Sequence, residues 1–157
     1  MCDLILQEYK MSNGEKAVTN FQNGCNCAQA VVTAYAEETG LDKKHALAIA
    51  TGFGGGIGRT QDVCGAVSGA IMILGLKYGS REGEGREKIN ATYSLTREFI
   101  GEFSKLKGTI KCKELLDGCN LSTEEGQAFF REHNLREKCW EYVRHACEVL
   151  DGIHPAN

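Results

Sequence analysis

The residues most able to do chemistry are eight cysteines in a chain of 157 residues, and their spacing narrows what that chemistry is. No Cys-x-x-Cys occurs, which argues against thioredoxin-like redox turns, zinc ribbons and rubredoxin-like knuckles. The absence of Cys-x-x-Cys-His removes covalent c-type haem. The nearest pairs are Cys25 with Cys27, Cys112 with Cys119, and Cys139 with Cys147. None matches a ferredoxin run, so any shared site must be assembled from distant segments.

Cys64 has the strongest local case. It follows Gly52-Phe53-Gly54-Gly55-Gly56-Ile57-Gly58 and opens a run of small apolar residues. A helix start offers free N–H groups and a dipole that favour a thiolate. Gly65, Ala66, Ser68 and Gly69 remove bulk, so another helix or a cofactor can come close. The plainer alternative is a buried helix-start residue with glycines for close helix packing. The glycine loop itself implies positive φ angles or a backbone that something approaches. It is not a P-loop, because Gly58 is followed by Arg59-Thr60 rather than Lys-Ser or Lys-Thr. It also lacks the glycine spacing and preceding strand of a dinucleotide site. An anion at the helix that follows, assisted by Arg59, stays compatible with it.

The remaining candidates are weaker. His45 and His133 lie in charged surroundings that suit solvent, His145 follows Arg144 on the last helix, and His154 is in the tail. Trp140 and Tyr142 beside Cys139 read as packing residues that would also shield a cluster. Asp62 reads as a helix cap, and Cys147 as a buried core thiol. No Ser/His/Asp or Cys/His arrangement is assignable from spacing.

These residues must be positioned by helices. The one proline is Pro155, and the chain is rich in Ala, Glu, Lys and Leu. The patterns predict a helix from Asp3 to Phe21 interrupted near Asn13-Gly14, and a second over Cys27–Thr39 stopped by Gly40. A third, capped by Asp42, runs from Lys43 to Thr51 and would bury Ala46, Leu47, Ile49 and Ala50. A central apolar helix follows from Cys64 to Tyr78. A long amphipathic one over Glu84–Leu106 would bury Ile89, Tyr93, Thr96, Ile100 and Phe103. After an extended piece at 109–111 and a turn at 114–116, Ser122 with Glu125 reads as a capping box for a helix to His133. The last helix, Arg136 to Leu150, aligns Cys139, Val143, Ala146, Cys147 and Leu150. The expected fold is all-α: one domain over 1–157, a compact bundle of about six helices with the glycine loop before a central helix.

Composition bounds the function classes. A net charge of −3 and a pI near 5.8 argue against nucleic acid. The longest apolar run is about a dozen residues, short of the roughly 20 needed to span a bilayer, and the first residues do not read as a secretory signal. A cytoplasmic setting is expected, in which eight cysteines point to metal binding or thiol chemistry rather than disulfide staples.

Three stretches then carry a resemblance: Asn26-Cys27-Ala28-Gln29-Ala30-Val31, the glycine loop, and Cys64-Gly65-Ala66-Val67-Ser68-Gly69-Ala70. Together they resemble the redox-active family labelled C_GCAxxG_C_C, which is similar to the amino-terminal module of split-Soret cytochromes, here without the haem part. The label writes Gly-Cys-Ala where this chain reads Cys-Gly-Ala. The family's two later cysteines are matched by Cys112 and Cys139, with Cys119 a rival for Cys112. The resemblance implies a four-cysteine site of Cys27, Cys64, Cys112 and Cys139. Such a set would satisfy an iron–sulfur cluster such as [2Fe–2S] in an electron-transfer or redox-sensing protein. Gly54, Gly55, Gly56 and Gly65 would give it room. The alternatives are a metal-free oxidoreductase, in which Cys64 is the low-pKa attacking thiol and Cys27, or another cysteine of the set, its resolving partner, and a helical module with structural zinc. The expected partners are a redox protein and a second copy of the chain, with neither nucleic acid nor membrane.

Overall fold

The computed structural model describes residues 10–156, so Cys2 and the stretch before Lys10 lie outside the described residues. Helix α1 (Asn13–Gln22) opens with Ser12, whose side chain accepts from the Glu15 amide while Glu15 reaches back to the Ser12 amide. Asn13-Gly14 begins α1, where this capping box satisfies the first orphan amides; the earlier part of the helix expected from Asp3 lies outside the described residues. Helices α2 (Cys27–Ala34) and α3 (Ala36–Thr39) are separated at Tyr35, and Gly40 ends α3 in a left-handed conformation. Asp42 caps α4 (Lys43–Ala50), which buries Ala46 and Ala50 but leaves Ile49 exposed.

A 3-10 turn (Thr51–Phe53) and the four-residue turn α5 (Gly54–Ile57) hold the glycine loop. The apolar α6 (Gly65–Tyr78) follows, with Cys64 rather than Asp62 at the N-cap. Asp62 instead pairs with Lys111. The long α7 (Arg86–Lys107) buries Leu95, Phe99 and Phe103, a stripe rotated from the expected one, so that Tyr93 is exposed. Then come α8 (Cys112–Leu115), α9 (Glu124–Glu132) and α10 (Arg136–Asp151). Thr123 caps α9 through the Gly126 amide, while Ser122 is turned toward Asn120. The fold is all-α, with more helical segments than about six because short turns break the longer runs. No helix among the described residues is long and apolar enough to cross a membrane.

The core is a layer of helices around α2 and α6. Helix α2 packs on α1, α4 and α6, and α10 closes the bundle against α1, α2, α6 and α7. The α2–α6 contact is close because Gly69 lacks a side chain: a Cβ there would sit 2.9 Å from the Ala28 carbonyl oxygen. Ala28, Ala30, Val31, Ala66, Val67 and Ala70 fill this seam and are fully buried. One end of the seam is where the cysteines gather.

Candidate functional site

The glycine loop reaches its shape through a left-handed run. Gly55, Gly56, Ile57, Gly58 and Arg59 all have φ between 59° and 67°. A left-handed turn costs an L-residue roughly 1–2 kcal/mol, which explains glycine at three of the five places. Ile57 and Arg59 carry the strain, a feature concentrated at functional sites. The turn is held by Gln61 and Asp62, whose amides donate to the carbonyls of Gly55 (3.2 Å) and Gly56 (3.0 Å).

Directly after this turn, Val63 pairs with Lys111 in an antiparallel bridge. Its hydrogen bonds run from the Cys64 amide to the Ile110 carbonyl (2.8 Å) and from the Cys112 amide to the Asp62 carbonyl (2.7 Å). Two cysteines 48 positions apart in the chain are thus fixed side by side. Gly56 backs onto Cys112, where a Cβ would lie 2.6 Å from the Cys112 Cβ. Gly65 backs onto Cys27 and the Phe53 carbonyl, at 3.0 and 2.8 Å from where its Cβ would be. Gly54 has the Asn26 side chain behind it at 2.7 Å. At Gly54, Gly56 and Gly65 the missing side chain makes room for protein.

Cys27 begins α2. Its position is set by Asn26, which caps the Gln29 amide and donates from Nδ2 to the Thr51 carbonyl (2.9 Å). Gln29 in turn donates to the Leu47 carbonyl and the Thr51 hydroxyl. Cys139 comes from the second turn of α10, and Tyr142 on the same helix donates to the Leu115 carbonyl (2.7 Å), tying α10 to the turn that carries Cys112. The thiols of Cys27 and Cys139 are hydrogen-bonded to each other, and Cys64 and Cys112 are near enough to act on Cys27 electrostatically. Cys64 also feels Cys139, and Cys112 feels both. The four cysteines therefore meet at one end of the seam, with the Cys27 and Cys139 thiols in direct contact and Cys64 and Cys112 beside them. Among the described residues no three His, Cys, Asp or Glu side chains gather as the ligands of a single ion would.

The four thiols differ in charge preference. The Cys27 hydrogen bond and, more weakly, the Arg136 guanidinium hold the Cys139 thiol below its ordinary value, while the same bond and burial push Cys27 well above. Burial pushes Cys64 up to about 11 and Cys112 to about 12. The amides of Ala66 and Val67 at the start of α6 pull Cys64 the other way without prevailing. The expectation of a low-pKa thiol at Cys64 is corrected: desolvation outweighs a helix start at a buried sulfur. Of the four, only Cys139 is held toward its charged form.

The other cysteines have separate places. The Cys119 thiol donates to the Gly126 carbonyl (3.3 Å) and also acts on Cys112 electrostatically. Cys147 is fully buried beside Tyr35 and Asp151. Cys25, half-exposed, lines the same cleft as Cys27, Cys112 and Cys139. Sequence reasoning missed Gln61, which is buried and clamps the 119–121 turn by donating to the Cys119 carbonyl (2.6 Å) and accepting from the Leu121 amide (2.8 Å). It also missed Arg136, which donates to the Phe21 carbonyl (2.8 Å) and lies over the Phe21 ring. Only a neighbour on α1 explains either contact of Arg136, so no local signal marks it.

With this geometry in place, the match to known proteins is decisive over residues 25–153, which fit the family described as "Putative redox-active protein (C_GCAxxG_C_C)". The chain belongs to the C_GCAxxG_C_C family. A relative in Archaeoglobus fulgidus, described as an uncharacterized protein, is 28% identical over 131 residues, covering 79% of this chain and 81% of its own. No solved structure matches the chain. Cys27, Cys64, Cys112 and Cys139, all within the matched stretch, lie together at one end of the α2–α6 seam.

Proposed function

We propose that Cys27, Cys64, Cys112 and Cys139 form the redox centre of this protein and hold an iron–sulfur cluster of the two-iron kind for electron transfer or redox sensing. The observation that carries this reading is the approach of four thiols from four separate segments, each close enough to act on others of the set. A [2Fe–2S] cluster takes four cysteine thiolates, two at each iron, whereas a structural zinc ion asks for four ligands about one point. When bound, such a cluster supplies one-electron chemistry. The chain's own residues do the rest. The Ala66 and Val67 amides favour negative charge on the Cys64 sulfur, Arg136 favours it on Cys139, and both influences raise a reduction potential. Phe21, Leu116 and Phe130 line the cleft and limit water at the sulfurs. Gly54 and Gly55, which also line it, expose backbone there.

The Cys27–Cys139 hydrogen bond supports a second reading, a metal-free dithiol. Cys139 is the thiolate and Cys27 its partner. The Cys139 thiolate attacks the acceptor disulfide and displaces one thiolate; Cys27 then closes the S–S bond, displacing the second sulfur, which takes the Cys27 proton and leaves as a thiol.

Protein purified without oxygen tests both. The first reading expects a coloured sample with about two irons and about two sulfides per chain. Cys64→Ser should abolish colour and iron while Cys147→Ser keeps them. A colourless, metal-free sample that loses two free thiols on mild oxidation, with Cys27 and Cys139 joined on peptide mapping, favours the second. Zinc near one per chain, or colour and disulfide both indifferent to Cys64→Ser and Cys139→Ser, overturns the redox centre.

A further inference from the structure

The cleft beside the cysteines has a charge character that the four thiols do not require. It encloses about 530 Å³, within the roughly 300–1,000 Å³ usual for small-molecule sites. Its charged lining residues are Arg59 and Arg136, with no Asp or Glu among the described residues that border it. That is a marked bias in a chain of net charge −3. Neither arginine is in an ion pair among the described residues, whereas several surface lysines are. Their placement is built rather than incidental. Arg59 holds a left-handed φ of 67°, and Gly55 is the residue under its stem, where a Cβ would lie 2.9 Å from the Arg59 Cγ. Arg136 is anchored on the Phe21 carbonyl and ring. The rest of the wall is largely apolar, from Phe21, Leu116, Leu121 and Phe130.

We infer that this cleft binds a small organic acid, its anionic group taken by Arg59 and Arg136 and its apolar body by the Phe21–Phe130 wall, alongside Cys25. Two guanidiniums without a carboxylate partner favour an anion, since an approaching cation is repelled and a neutral group gains less from them. The apolar wall selects an organic body over a bare inorganic ion. That the bound acid exchanges electrons with the adjacent cysteines rests on the proposed redox centre; that it binds does not.

Cys25 lies in the cleft, is half-exposed and is outside the four-cysteine set, so it reports on the cleft directly. The experiment reacts the full chain with two aromatic disulfides of similar size, the anionic dithiobis(nitrobenzoate) and the neutral dithiodipyridine. Labelling at Cys25 is followed by mass spectrometry in low salt. Any change in the Cys25 thiol itself affects both reagents and cancels in their ratio. Arg59→Glu should lower the anionic-to-neutral rate ratio at least about fivefold, and Arg59→Gln by less, with the wild-type preference fading in high salt. A ratio unchanged in both variants overturns the anion cleft, and the milder Arg59→Gln keeps that outcome accessible if Arg59→Glu does not fold. Iron, sulfide and disulfide content are read separately. Their absence with the ratio effect intact would sink the redox reading and leave the cleft standing.

Discussion

Cys139 and Cys147 lie two turns apart on the same buried face of α10, yet their surroundings push them in opposite directions. Cys139 meets the Cys27 thiol and Arg136 and is held below the ordinary thiol value. Cys147 is wrapped by the core beside Asp151 and is pushed up to about 12. Around Cys147 the polar groups are already satisfied: the Tyr35 hydroxyl donates to Asp151 Oδ1 (2.6 Å), which also accepts from Asn13 Nδ2 (3.2 Å). Around Cys139 another thiol, a cation and an open cleft are all in reach. Burial alone makes an inert sulfur; burial against a second sulfur and a positive charge makes one that can ionise or bind.

The contrast can be broken from the reactive side first. Gly65→Ala would place a Cβ 2.8 Å from the Phe53 carbonyl and 3.1 Å from the Ala28 amide nitrogen, both backbone atoms that cannot swing away. A loss of about 2–3 kcal/mol in urea unfolding is expected, together with loss of whichever redox signature the wild type shows. Unchanged stability would mean the α2–α6 approach is looser than described.

From the inert side the expected effect is smaller and depends on pH. Folding keeps the Cys147 proton, so this group's stabilisation is fully present below its ordinary value of 9.0 and is lost as pH rises from there toward about 12. The loss is at most about 1.4 kcal/mol per pH unit. Cys147→Ala should cost about 1–2 kcal/mol at pH 8, and the gap from wild type should narrow by about 1 kcal/mol or more by pH 10.5. A constant gap would show that the thiol is not held protonated by burial. Smallest is Tyr35→Phe, expected to cost about 1 kcal/mol, because Asn13 still donates to Asp151 when the hydroxyl is gone. A loss several times larger would place the Tyr35–Asp151 contact among the core's main supports.

Much of the architecture was legible where a local rule decides it. The Asp42 cap, the Gly40 stop, the buried stripe of α10 and the need for a non-helical glycine loop each follow from a few adjacent residues. Reading failed where two local options were nearly equal. Ser122 and Thr123 are both good caps, and the Asn120 side chain takes the first. On α7 the apolar residues admit two overlapping stripes, and packing against α6 and α10 selects the one through Leu95 and Phe99. Ile49 looked buried by periodicity, but α4 turns only its Ala46 and Ala50 face inward. The break at Tyr35 has no local signal, because what holds it is a hydroxyl bond to a residue 116 positions away.

By itself the sequence determined the helical class, the left-handed demand of the glycine loop and, through the resemblance of its motifs, which cysteines belong together. Tertiary structure alone decided that the Cys27 and Cys139 thiols touch, that Cys64 is desolvated rather than activated, and that Arg59 and Arg136 face the same cleft. The reason is physical: helix formation and left-handed turns depend on neighbours in the chain, whereas a thiol's charge state depends on solvent and on charges brought from segments dozens of residues away.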